Sequence, residues 1–434
     1  MKLIEAADAP GGRVRTDVTP DGFLLDRGFQ IFLTSYAAAR SLLEYPALDL
    51  RPFYAGAAVR WGDAWHRVAD PLRHPLDALA TLSPAHPIGT PLDKVRVGAL
   101  RLRLLARGGD AVWAAPEEET AARLAAEGFS PAMVDRFFRP FLGGIFFDTQ
   151  LRTSSRLFEF VMRSLATGAN CLPGVGGMGA VPAQLAGRLG AGVLSLNTPA
   201  AAVVEGSGRG AGGRLPHVLL DGGGRLTARH GVILATDWPA SERLLASTAG
   251  PPPKPAGAGP AVGTACVYFS APTPPLGGLP ILMLNGGLTG GAAASAGLVN
   301  NACCPSAVAP AYAPAGRSLI SVSTVGTHPE LSDEALTERV RAEMGGWLAG
   351  DACDARAWTP LAVYRIPFSQ PGQRPPTAWG RRAGGAADTG AARRGAGLFV
   401  AGDWVGPATL DGALASGRAA AAAVVEEAKG GEEA

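Results

Sequence analysis

The sequence has little that would commit it to a metal, a membrane span or a nucleic acid. Its five cysteines, Cys171, Cys266, Cys303, Cys304 and Cys353, are odd in number, form no CxxC pair and keep no metal-ligand rhythm. That speaks against a disulfide framework and a zinc site, and fits a reducing compartment. No run reaches the roughly 18 apolar residues of a membrane-spanning helix. Residues 1–5 carry no signal or transit pattern. Excess charge is almost lacking too: 39 Lys plus Arg stand against 37 Asp plus Glu, a net +2. Such a chain has no global field to draw in nucleic acid, and none is expected as a partner. A GxSxG elbow is missing, which removes the hydrolase signature.

What is present is a long, apolar chain. Its 434 residues, 47% hydrophobic and 18% charged, suit two packed domains around a shared cleft. The 59 glycines and 36 prolines call for many turns and disfavour an all-helical architecture. Residues 1–5 read as the end of a buried strand. Phe23, Leu25, Phe29, Ile31 and Leu33 alternate as short extended pieces would. From about 74 to 170 apolar residues recur at three- and four-residue spacings, predicting a helical insert. A helix of about a dozen residues is expected from Ala180, leading to a strand at 193–196. Val203-Val204 and 218–220 read as a loose hairpin with Gly206 to Gly213 at its tip. The run 231–236 predicts a strand feeding a helix capped by Thr236 or Asp237. Segments 250–262 and 371–396 read as exposed loops. A strand at 398–403, a loop and a helix over 411–427 close the chain.

The chemistry starts at Glu5. An acidic residue at the tip of the second strand of a dinucleotide-binding unit accepts hydrogen bonds from ribose hydroxyls. Gly11-Gly12-Arg13 lets backbone approach a pyrophosphate and supplies a guanidinium for it. The plainer reading is a surface Glu and a tight turn. Near the other end, Gly402-Asp403 ends a strand ahead of a helix start at 409–414. Its free N–H groups suit the pyrimidine end of a flavin, where negative charge collects on reduction. Asp403 is then placed to hold the ribityl or phosphate region.

The stretches LIEAADAPGGRVRT at 3–16, DGFLLDRGFQIF at 21–32, GVILATD at 231–237 and LFVAGDW with TLDGALASGRAAA across 398–421 resemble the flavin-containing amine oxidase superfamily. The likeness is to its phytoene-desaturase-like and protoporphyrinogen-oxidase-like branch. It implies FAD as cofactor, with contacts from Glu5, Ala6, Gly11, Gly12, Arg13, Gly28, the main chain at Ala200, Gly402, Asp403, Leu410, Asp411, Gly412 and Ala413. In the family a strand and a GxGxxG turn stand roughly 20–30 residues ahead of the acidic residue, and here they do not precede Glu5. The resemblance therefore implies a chain that starts on the second strand, leaves a slot in the parallel sheet and holds FAD poorly as written. The lysine that amine oxidases often place near the flavin has no counterpart beyond Lys254, in a Pro-rich stretch. This favours a desaturase-like or an uncharacterised branch.

Other constellations compete for attention. Gly174 to Gly179 fits GxGxxG letter for letter, but Pro173 and the residues before it predict no preceding strand, so a structural turn is expected. His66, Asp70 and His74 fall four apart, yet Pro71 and Pro75 spoil a helix that would align them as ligands, and no metal is expected. Lys94, Arg96, Arg101, Arg103 and Arg107, interleaved with apolar residues, read either as the solvated face of a core helix or as a peripheral membrane contact. Phe137, Phe138, Phe141, Phe146 and Phe147 read as core packing or as an apolar substrate tunnel.

The expected fold is α/β: a glutathione-reductase-type FAD-binding fold lacking its first strand, with an inserted helical and antiparallel-sheet substrate domain. The expected division is 1–60, 172–238 and 395–434 for the flavin domain, with 61–171 and 239–394 for the substrate domain. The expected function is FAD-dependent oxidation of an apolar or amine small molecule, with electrons passing to oxygen, a quinone or another acceptor. The alternatives are a redox-neutral isomerase of the carotenoid-isomerase kind and a non-catalytic remnant. Composition leaves the compartment open between plastid and cytoplasm.

Overall fold

The computed structural model describes residues 1–109, 111–207, 214–246, 261–288, 297–377 and 392–430. The chain is a mixed α/β fold whose strands are of two kinds. Short parallel pairs come from segments far apart in sequence: Leu3–Ile4 lies beside Leu194–Ser195, and Val232–Leu234 beside Leu398–Val400. The other edge of Leu398–Val400 is taken, antiparallel, by Arg393–Gly395. The first pair and the second group stay separate sheets.

The second kind is a seven-stranded sheet. Its spatial order is Thr359–Gln370, Val262–Ala271, Ser318–Val325, Val299–Cys303, Leu282–Asn285, Gly56–Trp61 and Ala64–Ala69. All its pairs are antiparallel except Leu282–Asn285 with Gly56–Trp61. Gly56–Trp61 crosses the expected division at residue 60. The strand Val262–Ala271 is apolar on both faces because both are covered. Ala265, Val267 and Phe269 meet Leu336, Val340 and Met344 of the helix Asp333–Trp347, while Cys266 and Tyr268 meet Phe23, Leu25 and Tyr312.

The helical block packs Pro91–Ala106 against Ser155–Thr167 around Leu100, Leu104, Leu124, Phe138, Leu142 and Phe158. Pro91–Ala106 begins on a capping box: the Thr90 hydroxyl accepts from the Asp93 N–H, and the Asp93 carboxylate accepts from the Thr90 N–H. Both orphan donors are thus satisfied, with proline where its missing N–H costs nothing. Phe138 and Phe146 are buried within this cluster and Phe137 stacks on Phe141.

Several expectations are corrected. Leu3 is 41% exposed rather than buried, because its strand has a single neighbour. The helix from Ala180 runs only to Ala186, with glycine following. Residues 371–377 are not an exposed loop: Gln373 and Thr377 are buried, the Gln373 side-chain oxygen accepting from the Ala408 N–H at 2.8 Å and Glu117 accepting from the Thr377 N–H at 2.9 Å. The expected hairpin exists, Ala200–Val204 pairing antiparallel with His217–Leu220. Its tip at 208–213, the Pro-rich segment 250–260 with Lys254, and 378–391 lie outside the described residues.

Candidate functional site

Glu5 stands at the end of its strand. Its N–H donates to the Ser195 carbonyl and its carbonyl accepts from Thr198, both at 2.9 Å. Its carboxylate turns inward to accept from the Ala7 N–H at 2.8 Å, and Ala6 is exposed. The 195–198 segment that grips Glu5 leads straight to Ala200, the first residue of the antiparallel hairpin Ala200–Val204 with His217–Leu220, which sets the two near each other.

The turn that follows requires glycine. At Gly11, φ is +121°, and a Cβ would lie 2.3 Å from the Val14 carbonyl oxygen and 2.7 Å from Pro182. Gly12 has φ +58° and open space around it. This turn delivers Arg13 to Asp403 in a two-pronged pair, at 2.7 and 2.8 Å, while the same guanidinium donates to the Ser369 carbonyl at 2.7 Å. The Phe368 ring lies 5.4 Å away. Burial works against the charge on Arg13, but Asp403 and Asp237 outweigh it and hold the guanidinium above its ordinary pKa.

Asp403 and Asp237 end adjacent parallel strands. Asp237 caps the helix Trp238–Leu245, accepting from Ala240 at 2.9 Å. Gly402, with φ +144°, donates its N–H to the Ser416 hydroxyl of the C-terminal helix at 2.9 Å, and a Cβ there would sit 2.9 Å from the Trp404 indole nitrogen. That indole N–H donates to the Thr236 carbonyl at 3.0 Å, locking the two strand ends together.

The C-terminal helix, Leu410–Gly430, starts on Thr409, whose hydroxyl accepts from the Gly412 N–H at 2.9 Å. At Gly412 a side chain would run into the Pro407 carbonyl. Leu410 packs into a core cluster with Tyr36, Leu48 and Met178. Asp411 is used structurally: its carboxylate accepts from the N–H groups of Ala38 and Ala39 at 2.8 and 3.1 Å, capping the helix Ala37–Leu42. Burial pushes its pKa up in spite of those bonds. Gly28, with φ +83°, tucks under Ile366 of the strand that also supplies Ser369 and Phe368.

The structure thus joins Arg13, Gly402, Asp403 and Asp237 in one place, and Glu5 with Ala200 in another. The Gly11 to Arg13 turn connects them, with no direct contact between Glu5 and Asp403 among the described hydrogen bonds and ion pairs. Ser369 and Phe368 had no local signal: they arrive on a strand some 350 residues downstream of Arg13. A cavity of about 630 Å³, lined in part by Arg60, Trp61, Asn285, Arg339, Glu343 and Trp347, lies at the other side of the seven-stranded sheet from Thr359–Gln370.

The decoy motif is resolved differently from expectation. A strand, Asn170–Pro173, does precede Gly174 to Gly179, held antiparallel between Phe32–Leu33 and Leu50–Pro52. Pairing rather than composition makes it extended. The turn's amides are already engaged, Met178 donating to Asp26 at 2.9 Å and Gly179 to the Thr16 hydroxyl at 2.8 Å. His66 lies in a strand, Asp70 pairs with Arg101 and His74 stacks on Tyr54, so they share no helix face.

The family model described as flavin containing amine oxidoreductase matches residues 1–425. No curated protein matches the chain. Among solved structures, putrescine oxidase with bound putrescine is 17% identical, with TM-score 0.64, covering 98% of this chain and 93% of that one. An oxidoreductase from Methanosarcina mazei is 14% identical, with TM-score 0.67 and coverage of 99% and 94%. A protein from Exiguobacterium sp. assigned as a protoporphyrinogen oxidase is 17% identical, with TM-score 0.63 and coverage of 99% and 93%. These likenesses establish the fold. With the family match running over nearly all of its length, the chain belongs to the family of flavin containing amine oxidoreductases.

Proposed function

We propose that this protein is an FAD-dependent oxidoreductase acting on an apolar or amine small molecule. The single observation that carries the reading is the Arg13 to Asp403 pair, which unites a glycine turn and a strand-end Gly-Asp that stand 390 residues apart.

The residues of that pair and of the Glu5 strand end suit the group in chemical type. A guanidinium beside Gly11 and Gly12 matches a pyrophosphate, carboxylates at Glu5 and Asp403 match ribose and ribityl hydroxyls, and the helix start at Leu410 to Ala413 matches the pyrimidine end. Gly402 and Gly412 leave no room for a side chain because Trp404 and the Pro407 carbonyl crowd them, which fixes the strand end and the helix start in place. In this reading Glu5 and the main chain at Ala6 and Ala200 hold the adenosine half, Arg13 the diphosphate, Asp403 the ribityl chain, and Gly28 lines the ring pocket. Bound FAD supplies two-electron hydride chemistry, while the chain binds, orients and screens. The structural likeness to a putrescine oxidase holding putrescine supports an amine among the substrates.

Titrating FAD into the purified chain and following the quenching of flavin fluorescence tests the proposal. Saturable binding that weakens roughly tenfold or more in Arg13→Gln and in Asp403→Asn is expected, each change removing charge-assisted hydrogen bonds. Binding indifferent to both substitutions, or none at all, overturns it.

A further inference from the structure

We propose that the face built by the helices Pro75–Thr81 and Pro91–Ala106 docks on an anionic lipid surface. Eight of the sixteen exposed large apolar side chains among the described residues fall between positions 72 and 105. Leu72, Leu76 and Leu79 are 73%, 82% and 65% exposed, and Val95 and Leu102 are 63% and 69% exposed. Large apolar side chains left exposed at this density along one stretch of chain mark an interaction surface.

The longer helix shows how the face is built. At about 100° per residue, Leu92, Val95, Ala99 and Leu102 fall on one stripe, opposite Leu100 and Leu104, which the core buries completely. The helix is therefore apolar on two opposite sides, and only one is used by the fold. Arg96, Arg103 and Arg107 flank the free stripe on one side, while Lys94 and Arg101 on the other are turned to the Ile88 carbonyl and to Asp70. An apolar stripe bordered by a basic row is the arrangement of a helix lying in a membrane interface, the long side chains of that row reaching to headgroups. The shorter helix adjoins it: Arg101 donates to Asp70 at 2.6 Å and Arg73 to the Gly168 carbonyl at 2.6 Å, fixing the loop that carries Leu72 against the middle of the long helix and the end of its neighbour.

Charge selects the occupant. Residues 70–107 hold six Lys and Arg against three Asp, in a chain whose total is only +2. Arg96, Arg103 and Arg107 have acidic partners, Asp93, Glu127 and Glu159, but in each pair the carboxylate is the more buried member and the guanidinium the more exposed one. The row beside the stripe therefore offers more positive than negative charge to solvent. A second copy docked face to face would set this row against itself, whereas an anionic bilayer attracts it. No described helix is long and apolar enough to cross a membrane, so contact is on the surface.

Sedimentation of the full chain with vesicles of phosphatidylcholine alone or mixed with phosphatidylglycerol tests this, and because it needs no flavin its outcome is separate from that of the cofactor titration. Binding is expected to the anionic vesicles, weakened by salt, and reduced roughly tenfold or more in Val95→Ser with Leu102→Ser and in Leu76→Ser with Leu79→Ser. Thermal melts of both variants should match the parent, since these side chains touch solvent. Absence of vesicle binding, equal binding to neutral vesicles, or vesicle binding unmoved by the substitutions overturns the proposal. A dimer lost in the same variants without vesicle binding also overturns it, assigning the face to a second copy.

Discussion

Tyr312 donates its phenol hydrogen to Asp26 at 2.8 Å across 286 residues of sequence. The same carboxylate accepts from the Thr16 hydroxyl and the Met178 N–H, at 2.5 and 2.9 Å, and the Asp26 carbonyl accepts from Tyr268 at 2.9 Å. Three hydrogen bonds favour the charged form, but complete burial outweighs them and pushes the pKa from 3.8 to about 6. A carboxyl whose folded pKa is raised contributes stability that is fully present below its unfolded value and lost as pH rises through the folded one. From pH 3.8 to about 6 the folded state should therefore lose on the order of 3 kcal/mol through this group. Asp26→Asn keeps an acceptor for Thr16 and Met178 and carries no charge. Its melting temperature relative to the parent should climb over that window. A difference that stays flat with pH would show that Asp26 is not the buried acid described.

Gly11 and Gly12 separate conformational cost from steric cost. Both have positive φ, but a Cβ at Gly11 meets the Val14 carbonyl oxygen at 2.3 Å, whereas at Gly12 it meets nothing within 4 Å. Gly12→Ala should cost roughly 1–2 kcal/mol, the price of a left-handed residue. Gly11→Ala should cost more, by about 1–3 kcal/mol, because backbone must move. Urea unfolding of the two variants measures both, and equal losses would mean that the turn leading to Arg13 is not built as described.

The sequence makes some of this architecture legible and hides the rest for definable reasons. Strands 232–234 and 398–400 announce themselves as apolar runs ending in Thr-Asp and Gly-Asp, and local chemistry narrows the helix cap to Thr236 or Asp237, of which the structure takes Asp237. The C-terminal helix is legible from its alanines. In contrast, Asn170–Pro173 is extended because two other segments pair with it, which no local pattern records. Asp26 reads as one of two acids in DGFLLDRGF, since Tyr312 and Tyr268 come from elements far downstream. In the helix Pro91–Ala106, periodicity reveals apolar stripes but not which one the core takes. At the candidate site, GGR and GD are visible as motifs, while Ser369 and Phe368 reach Arg13 only through the path of a sheet strand.

Asp411 caps a helix to which it does not belong. Its carboxylate meets the first free N–H groups of Ala37–Leu42, a helix whose preceding residue, Tyr36, offers no side-chain cap. Without that oxygen, two amide groups beside a half-buried helix start lose their acceptor. Asp411→Ala should therefore destabilise the fold by about 0.5–2 kcal/mol, the range for loss of an N-cap. Asp411→Asn, which retains an acceptor oxygen, should recover most of that loss. The substitution also separates two roles at the start of the C-terminal helix. If the carboxylate serves only the neighbouring helix, Asn restores the melting temperature and both variants keep the parent's FAD affinity. If instead the charge faces the cofactor, Ala and Asn both depart from the parent's affinity, whatever Asn does for stability. Melting curves and flavin titrations on the same three proteins decide between them.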